Sequence, residues 1–247
     1  MTIHALLYAA AALYAAAFIL HLAGKGRSSF AVLCSGFVVH TAYQVSRAWI
    51  TGMFIPNGMF DGVFLLPWGM ALAVVLLRLF SDRGTAWESA AAPLFLFALF
   101  ALAYPKGLIP PTPNKLTVWA NVFFLTEATG QACFYLAAWF AAAGIVTKRI
   151  STNYHSLIVW GFVLYSIAQV TGAIWAYLGW ATTFRWGSRH LQSAVIWCYF
   201  AAYLHLRFLP SWGAREKSWY ASAGFVVVAM NSFGSHLNEM GFPRIGG

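Results

Sequence analysis

Residues 118–146 read VWANVFFLTEATGQACFYLAAWFAAAGIV, a run with a single charged side chain, Glu127. As a helix rising about 1.5 Å per residue, it is longer than the roughly 30 Å hydrocarbon core of a bilayer. Its apolar residues come as one block, without the alternation of a barrel strand. Seven further blocks have the same character, at 3–23, 30–50, 61–80, 89–104, 156–179, 191–209 and 219–236. Between them stand breakers such as Gly24-Lys25-Gly26-Arg27, Ile55-Pro56-Asn57-Gly58, Ser81-Asp82-Arg83-Gly84, Pro110-Pro111-Thr112-Pro113 and Pro210. The expected fold is all-α, a polytopic transmembrane helical bundle of about eight spans, forming a single domain over 1–247. No gap has room for a separate soluble domain. The first block lacks a basic stretch before it (Met1-Thr2-Ile3-His4), which predicts a retained helix and not a cleaved signal.

Composition agrees. The 247 residues are 61% hydrophobic, 18% aromatic and 9% charged, with a mean hydropathy of +0.68. A soluble domain is usually about 25% charged, so this chain has no water-facing surface of ordinary extent. That excludes a disordered chain, a disulfide-stapled secreted module and a soluble cytosolic enzyme. A net charge of +9 could point to nucleic acid, but the fifteen basic residues sit singly at block edges, as membrane anchors do. No nucleic-acid partner is expected; membrane lipid is. Cys34, Cys133 and Cys198 lie inside apolar blocks without CxxC spacing, which gives no support to disulfides or zinc.

Loop charges set an expected orientation. With eight spans, one set of loops holds Lys25, Arg27, Arg78, Arg83, Lys148, Arg149, Arg207, Arg215 and Lys217; the other holds Arg47, Lys106, Lys115, Arg185, Arg189 and Arg244. The richer set belongs in the cytoplasm, which places both termini outside. Loops 51–60, 105–117 and 180–190 are then extracytoplasmic.

Polar groups at membrane depth need partners or a cavity. Gly36, His40, Gln44 and Arg47 share one face of the second block, which must look into the bundle. Glu127 and Gln131 follow at i, i+4; Tyr165, Gln169 and Gly172 mark the sixth block, and Asn231 and Ser235 the eighth. The amides read as interhelical hydrogen bonds. Glu127 either stays protonated or serves a proton path or a bound cation.

The seven histidines sort by depth. His4, His190 and His236 fall at the outer surface; His21, His155 and His205 lie near the cytoplasmic ends of blocks one, six and seven; His40 sits about 15 Å into block two. Imidazole is the usual haem ligand in a helical bundle.

From the sixth block into the seventh the chain reads Gly172-Ala173-Ile174-Trp175-Ala176, Trp180, Trp186, Trp197, then Tyr203-Leu204-His205-Leu206-Arg207. This resembles the tryptophan-rich segment of the CcsA/ResC/CcmC type of cytochrome c assembly protein, whose consensus runs roughly GAxWAxxxWGxxWxWDPKExW…W…YLHxR. His40-Thr41 with Arg47 resembles the family's FHT…R helix, and Phe225 to Gly241 its GF…GxN…G ending. The resemblance implies an eight-span protein of the bacterial inner (cytoplasmic) membrane. In that family intramembrane histidines hold haem, and the tryptophan segment presents it at the extracytoplasmic side to an apocytochrome CxxCH. Carried over, it makes His205 and His40 the candidate iron ligands. Trp175, Trp180, Trp186 and Trp197 become the haem-facing aromatics, and the cofactor a non-covalently held b-type haem (heme b).

Depth leaves the ligand pairing open, since His21 and His155 lie closer to the level of His205 than His40 does. The chain also departs from the family. Gly187-Ser188-Arg189-His190-Leu191-Gln192 stands where DPKExW is expected, Phe184 replaces one Trp, and Phe123, Pro243 and Met53 occupy positions where histidines are usual. His190, His236 or Met53 are the available substitutes. Two functions follow from the resemblance. The first is haem holding or delivery for c-type cytochrome maturation, with a second membrane or extracytoplasmic subunit and a c-type cytochrome or apocytochrome as partners. The second is a b-type haem subunit repurposed for electron transfer between a quinone and an external cytochrome. A plain scaffold, with polar residues serving only as helix glue, is the third reading.

Overall fold

The computed structural model describes residues 3–52, 61–80, 87–103, 111, 113–148, 153–184 and 188–237. They form eight α-helices: α1 His4–Leu22, α2 Gly26–Thr51, α3 Asp61–Phe80, α4 Ala91–Leu102, α5 Val118–Thr147, α6 Asn153–Trp180, α7 Ser188–His205 and α8 Ala214–Leu237. Short 3-10 turns lie at Trp87–Ala90, Pro113–Lys115 and Leu206–Phe208, and the described residues include no strand. One helix stands on each apolar block.

Among the described residues, three stretches are long and apolar enough to cross a membrane, His4–Leu22, Val118–Thr147 and Tyr154–Trp180, with mean hydropathies of 1.9, 1.3 and 1.8. α3 and α4 hold shorter apolar runs, Phe64–Leu79 and Ala91–Leu102. α4 alone rises only about 18 Å, short of a bilayer core. α2 is long, but its buried face is polar, with Ser29, His40, Gln44 and Arg47.

The helix ends differ from the apolar blocks where polar residues take part in packing. α2 starts four residues before its block, and Ser29 in its first turn is fully buried, its Oγ donating to the Ala17 carbonyl at 2.8 Å. At the other extreme, α7 stops at His205 and tightens into the Leu206–Phe208 turn, four residues short of its block. Pro210 explains the stop, because the residue before a proline is driven out of the helical region.

α5 is the axis of the bundle. All residues from 128 to 138 are buried, so this segment has no exposed stripe and must be surrounded. It packs against α6, α8 and α3. α1 lies on α2 and α4, α3 on α4 and α2, and α7 on α8 and α6, so an α1–α4 half and an α5–α8 half are joined through the packing of α3 on α5. The α5–α6 crossing is close because Gly130 meets the Gly161 carbonyl: a Cβ there would lie 3.1 Å from that oxygen and 3.1 Å from the Tyr165 nitrogen. Across α5 and α7, the Phe134 and Phe200 rings stack 3.6 Å apart and 4° from parallel.

Candidate functional site

His40 is sealed in the α1–α4 half. It is 1% exposed, and Gly36, Gln44 and Arg47 on the same face of α2 are buried with it. Gly36 opens the space: a Cβ there would meet Tyr14 Cε1 at 2.8 Å, so the Tyr14 ring lies across the glycine and brings its hydroxyl to 3.4 Å from His40 Nδ1. The Gln44 amide nitrogen sits 3.3 Å from the Phe64 carbonyl, to which it must donate, and 3.4 Å from His40 Nε2. Both ring nitrogens of His40 thus have a polar neighbour, the Tyr14 hydroxyl at Nδ1 and the Gln44 amide at Nε2, and the Phe64 carbonyl lies within hydrogen-bonding reach of the ring as well. Arg47 closes the C-terminal end of the face, its guanidinium 5.6 Å from the Phe64 ring centroid and 5.8 Å from that of Tyr43.

His205 is placed quite differently. It is the last residue of α7 and is exposed, and Nδ1 donates to the Ala201 carbonyl at 2.7 Å. The nitrogen left as acceptor is Nε2. Leu191, Val195, Cys198, Ala202 and His205 form one exposed stripe along α7. His155, near the start of α6, has Nδ1 3.4 Å from the Tyr203 hydroxyl; His21 lies in the last turn of α1 and is half-buried. α6 packs on α7, so His155 and His205 belong to one half of the bundle, whereas His40 and His21 belong to the other. His40 is fourteen residues into α2, about 21 Å of rise, while His205 ends its helix. The structure thus puts His40 and His205 in different halves and at different positions along their helices.

These donor sets can be compared with what haem iron needs. A ligating imidazole usually anchors one ring nitrogen to a carbonyl and offers the other to the metal. His205 has that arrangement. His40 differs in that the Tyr14 hydroxyl and the Gln44 amide stand at its two nitrogens, with the Phe64 carbonyl also in reach, and the ring is buried. Among the described residues no three His, Cys, Asp or Glu side chains converge as a metal cluster.

The tryptophans divide in the same manner. Trp175 donates Nε1–H to the Asn114 carbonyl at 2.7 Å, stacks on Phe123 (5.8 Å, 23°), and meets Phe124 at 5.5 Å and Trp180 at 5.4 Å edge-on. These four rings make an aromatic shelf at the end of the bundle where α5 begins. Trp197 lies apart from it, donating to Ser166 Oγ at 3.0 Å, nine residues or about 13.5 Å along α6 from Trp175. Trp186, Met53, Pro243 and the side chain of His236 lie outside the described residues. His190 meets the ring of Phe184 edge-on at 5.4 Å. Sequence reasoning noted Phe123 only as a missing histidine; in the structure it is the surface on which Trp175 stacks. It missed Tyr14 and Asn114 altogether. A signal existed for the Asn114 region: Thr117 caps α5, accepting from the Ala120 nitrogen at 3.2 Å, and that fixes the turn carrying Asn114.

An apolar helical bundle with imidazoles and an aromatic shelf at one end defines a class, that of polytopic helical membrane proteins. The chain belongs to the cytochrome c assembly protein family, whose model matches residues 2–242. A cytochrome c biogenesis protein CcsA of Prochlorococcus marinus (strain MIT 9515) is 35% identical over 262 residues, covering 88% of this chain and 82% of that protein. The protein of the same name from strain MIT 9301 is 25% identical over 269 residues, covering 90% and 86%. That from strain MIT 9215 is 32% identical over 241 residues, covering 80% and 77%.

Proposed function

We propose that this protein handles haem in the biogenesis of c-type cytochromes, holding it in the membrane and presenting it at the extracytoplasmic side. The observation that carries the reading is His205, whose Nδ1–H is anchored on a carbonyl while its other nitrogen lies on an exposed stripe of a chain in this family. Haem would bind non-covalently, as b-type haem, through His205 Nε2. An exposed histidine on an apolar stripe calls for cover from outside the chain, and a second membrane subunit supplies it. The second ligand would come from that subunit or from His155, His21 or His40; His155 shares the α6–α7 contact with His205, and His40 would need Gln44 to turn away from Nε2. Trp175 and Trp180, with Phe123 and Phe124, form a flat apolar support for a porphyrin face, and Trp186 continues that segment of sequence.

Haem bound here supplies vinyl groups, to which cysteine thiols of an apocytochrome add to form thioethers. The protein's share is orientation and exclusion of water, because the thiol addition needs no further group from the chain. The reading places the chain in the bacterial cytoplasmic membrane with both termini outside. Its test is a pyridine haemochrome assay on the purified protein, with haem expected and its content collapsing in His205→Ala. Deletion in the host should abolish covalent c-haem.

One observation favours a second reading. Phe123, and not an imidazole, lies against Trp175, so the shelf binds by stacking alone. A permanent b-type haem subunit passing electrons between a quinone and an external cytochrome needs no external ligand to hand haem over. Normal c-type cytochromes in the deletion strain, with loss of a quinone-linked activity, would select it.

A further inference from the structure

Haem handling leaves unused a line of polar groups in the α5–α8 half. Glu127, Gln131 and Tyr135 follow one another at i, i+4 and i+8 on α5, spanning about 12 Å of one face. Tyr135, 1% exposed, donates its hydroxyl to Ser232 Oγ on α8 at 3.0 Å, and Ser232 Oγ donates to Gln131 Oε1 at 2.8 Å. Facing this line from α6, Tyr165 is fully buried and lies within electrostatic reach of Glu127. Its hydroxyl meets Ser193 of α7 but completes no well-formed hydrogen bond, so it has capacity to spare.

The two ends of the line differ. Residues 121–127 of α5 are all partly exposed, and Glu127 belongs to that open end. At the other end Tyr135 is walled by the rings of Phe97 at 4.7 Å and Phe225 at 5.3 Å, within the continuously buried segment 128–138. A proton can reach Glu127 from the end at which α5 begins; past Tyr135 the next polar group on this face among the described residues is the buried indole N–H of Trp139, which can donate a hydrogen bond but cannot accept a proton and so does not extend a relay. Helix glue accounts for Tyr135, Ser232 and Gln131, but it needs no carboxyl. A carboxyl in lipid is tolerated when it can take up a proton or be hydrogen-bonded in either state, and Gln131, one turn along α5, and Tyr165 are polar side chains on the side toward which it lies.

Toward the end at which α5 begins, the other titratable groups on the elements packed against α5 are Asp61 at the start of α3, Tyr177 further out on α6, Lys115 of the Pro113–Lys115 turn, and His236 on α8, whose side chain lies outside the described residues; Cys133 and Tyr135 lie on α5 itself. Tyr154 and His155 on α6, Arg78 on α3, and Arg215, Glu216, Lys217 and Tyr220 on α8 lie toward the opposite end of the bundle.

We propose that Glu127, with Tyr165 beside it and the Gln131–Ser232–Tyr135 string beneath it, is a proton-binding site that exchanges with one side of the membrane only, the side at which α5 begins. It would let the bundle take up or release a proton without opening a leak across the bilayer. Infrared difference spectroscopy on vesicles of fixed orientation, after pH steps with an impermeant buffer on either side, tests it. One protonated-carboxyl band should follow pH from the α5-start side alone. It should vanish in Glu127→Gln and shift in frequency, without loss, in Ser232→Ala. Tyr135→Phe keeps the ring packing and should give the same shift if Glu127→Gln fails to fold. A band that follows pH from both sides, a band unaffected by these substitutions, or one that responds to Na⁺ or K⁺ at constant pH would overturn the proposal. The measurement needs no haem, so it stands or falls separately from the haem reading.

Discussion

His40 and His205 are the same side chain in opposite conditions. His40 is locked, with Tyr14 on one nitrogen and Gln44 on the other, and it is 1% exposed. His205 is held by one nitrogen at 2.7 Å and exposed on the rest of its ring. A sequence motif that marks both as ligands is blind to this difference, because the locking groups of His40 come partly from α1, far away in the chain. The difference teaches that two histidines of one motif can differ in how many polar neighbours already stand at their ring nitrogens, a property that depth in the membrane does not report.

Haem content gives the largest contrast. His205→Ala should remove nearly all haem from the purified protein, while His40→Ala should retain most of it and lose stability instead. Pyridine haemochrome quantitation of the two variants side by side checks this, and loss of haem in His40→Ala with retention in His205→Ala would reverse the comparison. The next effect concerns the seal. Gly36→Ala places a methyl 2.8 Å from Tyr14 Cε1, and overpacking of this kind costs about 1–3 kcal/mol. Thermal unfolding should show it as a lowered midpoint, and His40 should become reactive to a histidine-modifying reagent. In the wild-type protein the same reagent should label His205 quickly and His40 only through local opening, which mass spectrometry of the peptides would resolve.

How much of this was legible beforehand depends on where each cause lies. One helix per apolar block was readable because burial in lipid writes long apolar runs, and Glu127 stood out for the same reason. The helix ends were less readable: hydropathy counts Ser29 as a loop residue, whereas its hydroxyl satisfies the Ala17 carbonyl and lets α2 begin early. The face of α2 followed from helical period. The role of Tyr14 did not, since it depends on which glycine α1 crosses, a fact of packing with no local signature. Phe123 was visible as a departure, but its stacking on Trp175 needed the α5–α6 register that Gly172 and Gly130 permit.

On the open side of the molecule, Trp175→Phe keeps the stack on Phe123 and removes the bond to the Asn114 carbonyl, a loss of about 1 kcal/mol. Haem binding at His205 should be unchanged by it, whereas covalent c-haem in the host should fall if the shelf takes part in delivery. Equal maturation with and without the indole N–H would confine the shelf to a structural role.

The smallest effect is the sharpest for His40. Tyr14→Phe preserves the ring over Gly36 and deletes only the hydroxyl that stands at Nδ1. The contact is long at 3.4 Å, so the loss in unfolding free energy should lie near the lower end for a buried polar group left unpaired, about 1 kcal/mol. The consequence beyond stability concerns the ring nitrogens. The double variant Tyr14→Phe with Gln44→Leu removes both side-chain neighbours and leaves the Phe64 carbonyl as the ring's partner, so one nitrogen should become free for iron. If that variant, and not the wild type, binds a second haem per chain, then the hydrogen bonds are what keep His40 from iron. If it binds none, the packing of Tyr43 and Phe64 around the ring excludes a porphyrin by itself, and the lock is steric.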